Sequence, residues 1–295
     1  MSPQATRRLI VSGDDFGVAR EVNAGIARAH RDGVLGAASL MVTGDAAAEA
    51  VALARATPDL SVGLHLVLAQ ARPAAPPAEI PSLVAASGAF HDAPIATGLR
   101  YAWAWAAGRG RRELRREVEA QLAAFAATGL PLGHLDGHLN MHLHPMVLPI
   151  LVELAPQWGI RAMRLSREPL GAALRWDRRA AGRKLFEGAA FRTLAALAAP
   201  RLRAAGIVSA DRVYGMHQTG HVDEPYVLDL VAHLPPGTSE LYCHPSDGVA
   251  AAMARWQPGY DAAGEVAALT SPRVRSAIAA AGVELTTYAR LADRY

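Results

Sequence analysis

Short apolar runs alternate with amphipathic stretches from the start of this chain, and the first of them empties directly into a pair of aspartates. Leu9-Ile10-Val11-Ser12 leads into Gly13-Asp14-Asp15-Phe16-Gly17. A helical period follows from about Arg20 to Asp32, with Gly33 placed as its C-terminal cap. Ala38 to Val42 reads as the next strand, Ala46 to Ala56 as a helix stopped by Pro58, and Leu60 to Leu68 as a third strand carrying His65. Continuous apolar runs mark strands buried on both faces. With helices between them they predict parallel βαβ units and exclude a sandwich. The chain has 295 residues, which fits one α/β-barrel domain of roughly 250 residues. The expectation is a single irregular (β/α) barrel over 1–295, with about seven parallel strands and a helical insertion.

Two stretches break the rhythm. Residues 69–98, proline-rich from Pro73 to Pro94 and without a clear period, predict a long loop. Residues 168–206 are rich in alanine and arginine, show no strand signal and predict a helical cap insertion. Between them, Arg111 to Thr128 and Pro145 to Trp158 read as helices, and Leu132 to Leu135 and Ile160 to Leu165 as strands. Tyr214 to Met216, Ser239 to Cys243 and Val283 to Thr287 supply the late strands.

Composition closes off several classes. Hydrophobic residues make up 51% of the chain and charged ones 19%, enough to build a core and too apolar for disorder. A formal charge of +3 is too small to mark a nucleic-acid binder. Cys243 is the single cysteine, which rules out an internal disulfide and a cysteine-based zinc site. No apolar run approaches the ~18 residues needed to span a bilayer. The start runs through Arg7 and Arg8 straight into a strand pattern, with no apolar leader before it. A cytoplasmic location is expected, with the inner face of the membrane as an option.

Polar clusters sit where strands end. They are Asp14-Asp15, His65, and the run His134-Leu-Asp136-Gly-His138-Leu-Asn-Met-His142-Leu-His144-Pro145. In a parallel barrel the carboxyl ends of the strands share one rim, so these groups converge there. One carboxylate and two imidazoles from separate strands make an open site for a divalent metal, which acidifies bound water. Taken singly, the Asp pair also suits a turn and cap, and His65 a hydrogen-bonded core residue. Four histidines within eleven residues point to metal binding or catalysis. Spacing alone pairs His138 with His142, because residues i and i+4 share a helical face.

At these residues the chain resembles the YdjC-like carbohydrate deacetylases. The resemblance rests on Val11 to Gly17, Val62-Gly-Leu-His65-Leu66, His134-Leu-Asp136-Gly-His138 and Leu241-Tyr-Cys-His244-Pro245. Ser12-Gly13 stands where that family carries Asn-Ala. Within the family the hopanoid-biosynthesis-associated branch is most similar, on Gly63 to Leu68, Pro76 to Pro81 and His142 to Pro145. The resemblance implies that Asp15, His65 and His138 hold one divalent metal. It further implies that Asp14 takes the proton of the attacking water and His244 protonates the leaving amine. His142 then becomes a substrate-binding group, and Asp136 an orienter of a ligand imidazole that also stands near the substrate. Arg164, following the fifth strand beside Arg167, is expected either to bind substrate hydroxyls or to hold Asp14 ionised. Zn²⁺ suits the donor set best; Co²⁺, Mn²⁺, Ni²⁺ and Mg²⁺ stay open.

The implied substrate is an N-acetylglucosaminyl hopanoid, a lipid-linked amino sugar, with no nucleic acid and no membrane span. Tyr101-Ala-Trp103-Ala-Trp105 before Arg109, Arg111 and Arg112, together with the basic 168–206 stretch, suits peripheral contact with a membrane. The same stretches also suit a plain helical cap on the barrel. Other readings are a soluble chito-oligosaccharide deacetylase and a different metal-dependent barrel hydrolase or isomerase. A non-catalytic metal binder is disfavoured because it would not need Asp14 and His244.

Overall fold

The computed structural model describes residues 6–248 and 251–294. The lead-in from Met1 to Ala5 lies outside the described residues. Every ladder in the sheet is parallel. The strands are β1 (Arg7–Phe16), β2 (Ala37–Leu40), β3 (Ser61–Leu66), β4 (Leu135–Gly137), β5 (Arg212–Tyr214), β6 (Gly237–Cys243) and β7 (Val283–Thr286). Six of them follow the order β4-β3-β2-β1-β6-β5 and curl into a half-barrel. The seventh, β7, pairs with Arg7–Ile10 of β1, on the strand whose later residues pair with β2.

Helices α1 (Arg20–Arg31), α2 (Ala47–Ala56), α3 (Pro94–Ala106) and α4 (Gly110–Ala127) flank the first strands. The amphipathic period of α4 shows in its buried residues Leu114, Val118, Leu122 and Phe125. Each buried side chain of this size stabilises by about 1.5–3 kcal/mol. Next come α5 (Leu148–Trp158), α6 (Leu170–Trp176), α7 (Ala181–Ala204) and α8 (Glu224–Ala232). The chain finishes with α9 (Ala251–Trp256), α10 (Ala262–Thr270), α11 (Pro272–Ala280) and α12 (Tyr288–Ala292).

Beyond shifted element ends, such as β4 at Leu135–Gly137 instead of Leu132 to Leu135, the structure departs from the sequence reading in four places. First, Ile160–Leu165 forms no continuous strand, so the ladders make a half-barrel and not a seven-strand barrel. Only isolated bridges occur there, Leu135 to Met163 and Ala162 to Val208. The physical reason is β4, whose three residues end where Gly137 turns into a 3₁₀ segment, His138–Leu143. Second, the loop expected over 69–98 holds a 3₁₀ turn at Pro77–Glu79, and Pro94 begins α3. A proline at the first helical turn loses no hydrogen bond. Third, the 168–206 stretch divides into α6 and α7, because Asp177 is extended and Ala180 left-handed. Fourth, Gly33 is not a left-handed cap, since Asp32 closes α1 in the right-handed region. A Cβ at Gly33 would lie 2.4 Å from the carbonyl oxygens of Ala29 and Leu269, so close packing requires the glycine.

Candidate metal centre and active site

A β-bulge explains how two consecutive aspartates serve one site. Gly13 pairs with Ala38 and Phe16 with Leu40, so Asp14 and Asp15 together oppose Ser39. Neighbouring strand residues ordinarily point to opposite faces, and an extra residue breaks that alternation. Asp15 adopts φ +60°, a left-handed conformation that aspartate tolerates better than most residues. His65 on β3 stands in register with Asp136 on β4. Gly137 then turns the chain so that His138 faces the end of β1.

Asp15, His65 and His138 offer one donor atom each, all within 4.8 Å of one another, and all three residues are buried. Asp15 Oδ1 lies 2.9 Å from His138 Nδ1 and 3.3 Å from His65 Nε2. Each donor is held from behind. His65 Nδ1 is 2.8 Å from Asp136 Oδ1, and His138 Nε2 is 2.8 Å from Gln70 Oε1. Gln257 Nε2 donates to Asp15 Oδ2 at 2.8 Å. Metal-ligating histidines typically have such a partner on the second ring nitrogen.

The electrostatics fit a cation. Asp14, Asp15, Asp136 and Glu240 are all buried, and Asp14, Asp136 and Glu240 share one guanidinium, that of Arg164. Burial opposes the charge on Asp15, but His138 and His65 outweigh it and hold the carboxyl well below the usual range. Burial likewise opposes a charged His65, yet Asp136 and Asp15 beside it raise its pKa to about 10. The negative field that would hold a proton on His65 would equally hold a divalent ion. The donor set therefore could hold one such ion.

Beneath this cluster Arg164 is the central counter-charge. Its Nη1 and Nη2 donate to Asp14 at 2.6 and 2.8 Å in a bidentate fork. Nη2 also lies 2.9 Å from Asp136 Oδ2 and 2.8 Å from Glu240 Oε1. The guanidinium carbon sits 4.5 Å from the centre of the Tyr242 ring. Ser12 and Tyr288 both donate to Glu240 at 2.7 Å, and Ser39 donates to Asp136 at 2.7 Å. Burial works against a charged Arg164, but Asp136, Asp14 and Glu240 raise its pKa well above the ordinary arginine value.

A cavity of about 890 Å³ opens on the cluster. Asp14, His65, His138 and His244 line it, together with Tyr242 and Tyr260. His244 follows β6, its ring edge-on to Tyr242 at 5.8 Å and to Tyr260 at 5.5 Å. Its backbone N–H donates to Glu265 Oε2, while Glu265 Oε1 accepts from Val222. Burial lowers the pKa of His244, although Asp15 and Asp14 pull the other way. Burial also raises Glu265 to about 8. The outer wall is largely apolar, with Ile95, Leu139, Met141, Phe186, Phe191 and Leu194, and it also carries the charged Asp177, Arg179, Arg183, Lys184 and Glu187.

Three residues expected to face substrate do not line this cavity. His142, Asp136 and Arg164 are at most 1% exposed and stand behind the cavity wall. His142 accepts no helical pairing with His138, because Leu139 and Asn140 between them are left-handed. Its Nε2 reaches the Arg164 carbonyl oxygen at 2.9 Å, and burial holds it neutral with a pKa of about 4. Arg167 turns away to the Ala210 carbonyl oxygen at 3.3 Å. The four-histidine run therefore serves several purposes. His134 stacks on Tyr288 at 5.1 Å, His144 packs edge-on to Tyr101 at 6.3 Å, and His138 alone of the four joins the donor cluster. Sequence reasoning missed Glu240, Gln70, Gln257, Glu265 and Tyr288. Only Glu240 leaves a trace, as an acid inside an apolar strand.

A curled parallel half-barrel with an Asp-His-His cluster at the strand ends defines an α/β protein equipped to hold a metal beside an open cavity. Residues 8–280 match the YdjC-like protein family, and the chain belongs to it. It is 40% identical over 161 residues to a carbohydrate deacetylase of Brevibacillus brevis, covering 52% of this chain and 57% of that protein. A carbohydrate deacetylase of Geobacillus stearothermophilus is 36% identical over 163 residues, covering 55% of this chain and 62% of that protein. The matched region thus spans less than two thirds of the length of these curated relatives. A solved structure from Enterococcus faecalis V583, provisionally named for cellobiose-phosphate cleavage, superposes with a TM-score of 0.76 at 25% identity. That match covers 97% of this chain and 99% of the other.

Proposed function

We propose that this protein is a metal-dependent carbohydrate N-deacetylase, and that its substrate is an N-acetylglucosaminyl group carried on a hopanoid lipid. The observation behind the reading is the joint placement of Asp14, the Asp15-His65-His138 cluster and His244 around one cavity. The family membership and the similarity to carbohydrate deacetylases support the reaction class. The apolar outer wall of the cavity supports a lipid-linked sugar, presented at a membrane surface.

Asp15, His65 and His138 would hold one divalent ion, which when bound polarises the acetyl carbonyl and acidifies the attacking water. Arg164 fixes Asp14 through both oxygens, and a carboxylate keeps further acceptor sites beyond that fork. Asp14 is thereby oriented to take the proton of the attacking water. His244 delivers a proton to the leaving nitrogen; burial weakens its hold on that proton and makes its protonated form a stronger acid. Each such transfer contributes about 10²–10⁴ in rate. Tyr242 and Tyr260 fix the His244 ring from two sides.

Acetate and free amine are measured with the N-acetylglucosaminyl hopanoid and with chitobiose as competing substrates. Preferential turnover of the hopanoid is the expected outcome. Turnover of chitobiose alone would replace the lipid acceptor with a soluble oligosaccharide. Acetate from neither, with metal bound, would overturn the deacetylase reading.

A further inference from the structure

Helix α3 is apolar on two opposite faces, and only one of them packs. Thr97, Tyr101 and Ala104 are fully buried, and the Tyr101 hydroxyl donates to the Leu68 carbonyl oxygen. Ile95, Leu99 and Trp103 recur every four residues on the other side and are 76%, 68% and 64% exposed. A helix that is apolar all round is ordinarily buried all round. On α7, Leu185 and Phe186 are 50% and 73% exposed. Ile95 and Phe186 both line the main cavity, so the two exposed faces meet at its mouth.

The chain that carries this face is basic, and the acids nearest it are paired, Asp92 with Arg255, Asp177 with Lys184 and Glu187 with Arg183. From Pro94 to Arg112 the chain carries Arg100, Arg109, Arg111 and Arg112 and no acid. The Arg109 guanidinium lies 5.2 Å from the centre of the Trp103 ring. Aromatic side chains paired with arginine are the groups that settle at a membrane–water boundary. Among the described residues no helix is long and apolar enough to cross a membrane, so such a contact would be peripheral.

We propose that the α3 face of Ile95, Leu99 and Trp103, continued by Leu185 and Phe186 of α7, docks on an anionic lipid bilayer and turns the cavity mouth toward it. This rests on the reading of the cavity as the entrance to a deacetylase acting on a lipid-linked sugar. A bilayer is favoured over a second copy of the chain because a protein seated there would cover the entrance. A membrane instead offers an amphipathic substrate at that entrance, with its tail left in lipid. The arginines complement anionic headgroups, and the apolar side chains insert between them.

The test is flotation of the full chain with phosphatidylglycerol-containing vesicles and with phosphatidylcholine vesicles, for the wild type and for Leu99→Ser, Trp103→Ser and Leu185→Ser. These three positions lie outside the cavity wall. The wild type is expected to float with anionic vesicles and less so at high salt. Trp103→Ser is expected to weaken binding by about tenfold or more, the equivalent of one large apolar side chain withdrawn from lipid. Leu285→Ser, an exposed leucine on β7, is expected to bind as the wild type does. Acetate release from a water-soluble N-acetylated sugar is followed in the same variants and is expected to stay unchanged. A wild type that does not float, or variants that float equally well, would overturn the surface while leaving the deacetylase reading intact. Self-association in the absence of vesicles that the same substitutions abolish would overturn it too, by assigning the face to a second copy. Flotation without acetate release from any substrate would overturn the deacetylase reading, and with it the role assigned to this face.

Discussion

Replacing Arg164 with methionine tests whether this residue serves the fold or the substrate. The guanidinium is 1% exposed and is the shared cation of Asp14, Asp136 and Glu240. Methionine fills much of the volume but leaves three buried acids without their counter-charge. Removing one partner of a buried ion pair costs about 3–5 kcal/mol, and three bereaved acids put Arg164→Met at the upper end. At an unfolding entropy of about 2.1 cal/mol/K per residue, a chain of 295 residues shifts by roughly 1.6 °C per kcal/mol, so the melting temperature should drop by about 8 °C. The sign of the pH dependence follows from Asp136. Burial acts to raise its pKa, but Arg164 and His65 hold it well below the ordinary value, so it stabilises the wild type above that value and less as pH falls. Without Arg164, Asp136 binds a proton more readily when folded, so the deficit should be larger at pH 8 than at pH 5. Arg164→Lys keeps the charge but not the fork, and should fall between the two. Urea denaturation at both pH values is the assay. A variant within about 1 kcal/mol of the wild type, with loss confined to substrate affinity, would refute the structural role and restore Arg164 as a substrate ligand.

Three further outcomes are expected. His142 is held at about 4 against an ordinary 6.5, so the unfolded chain takes up a proton that the folded one refuses. That contribution is present above pH 6.5 and is lost as pH falls toward 4, by about 3 kcal/mol in all; His142→Asn should flatten the stability profile there, and an unchanged slope would count against it. Gln70→Ala removes the acceptor behind His138 and should weaken divalent-metal binding about 10–100-fold in chelator competition, whereas unchanged affinity would deny Gln70 an orienting role. Gly63→Ala would place a Cβ 2.4 Å from His134 Nδ1 and 2.6 Å from its carbonyl oxygen. Overpacking of this kind costs about 1–3 kcal/mol, which calorimetry would read as a lowered melting temperature, and a wild-type melting point would contradict the close packing.

The strand ends were the most legible part of the molecule. Buried parallel strands announce themselves as apolar runs, and Asp14-Asp15, His65 and His138 each follow or close one. What the sequence hides is separation along the chain. Gln70 and Gln257 come from loops with no local signal, and nothing in one dimension places them behind His138 and Asp15. His142 and His134 look like ligands because histidines cluster, yet two left-handed residues and a packing glycine, Gly63, direct them into the interior. Arg164 reads in the sequence either as a ligand for substrate hydroxyls or as the group that holds Asp14 ionised, and its guanidinium forms a bidentate fork on Asp14. The missing fifth strand is a length effect: β4 is too short to hold a continuous neighbour. For α3, the proline at 94 reads as a loop residue and as a helix start alike, and only the tertiary structure separates the two.

The most direct test of the central claim is acetate release from an N-acetylglucosaminyl substrate by protein stripped of metal and then reloaded with single divalent ions, for the wild type and Asp15→Ala. Stripping is expected to abolish release, one ion to restore it in the wild type, and Asp15→Ala to stay inactive while remaining folded. Release that survives stripping, or that Asp15→Ala sustains at the wild-type rate, would contradict that claim.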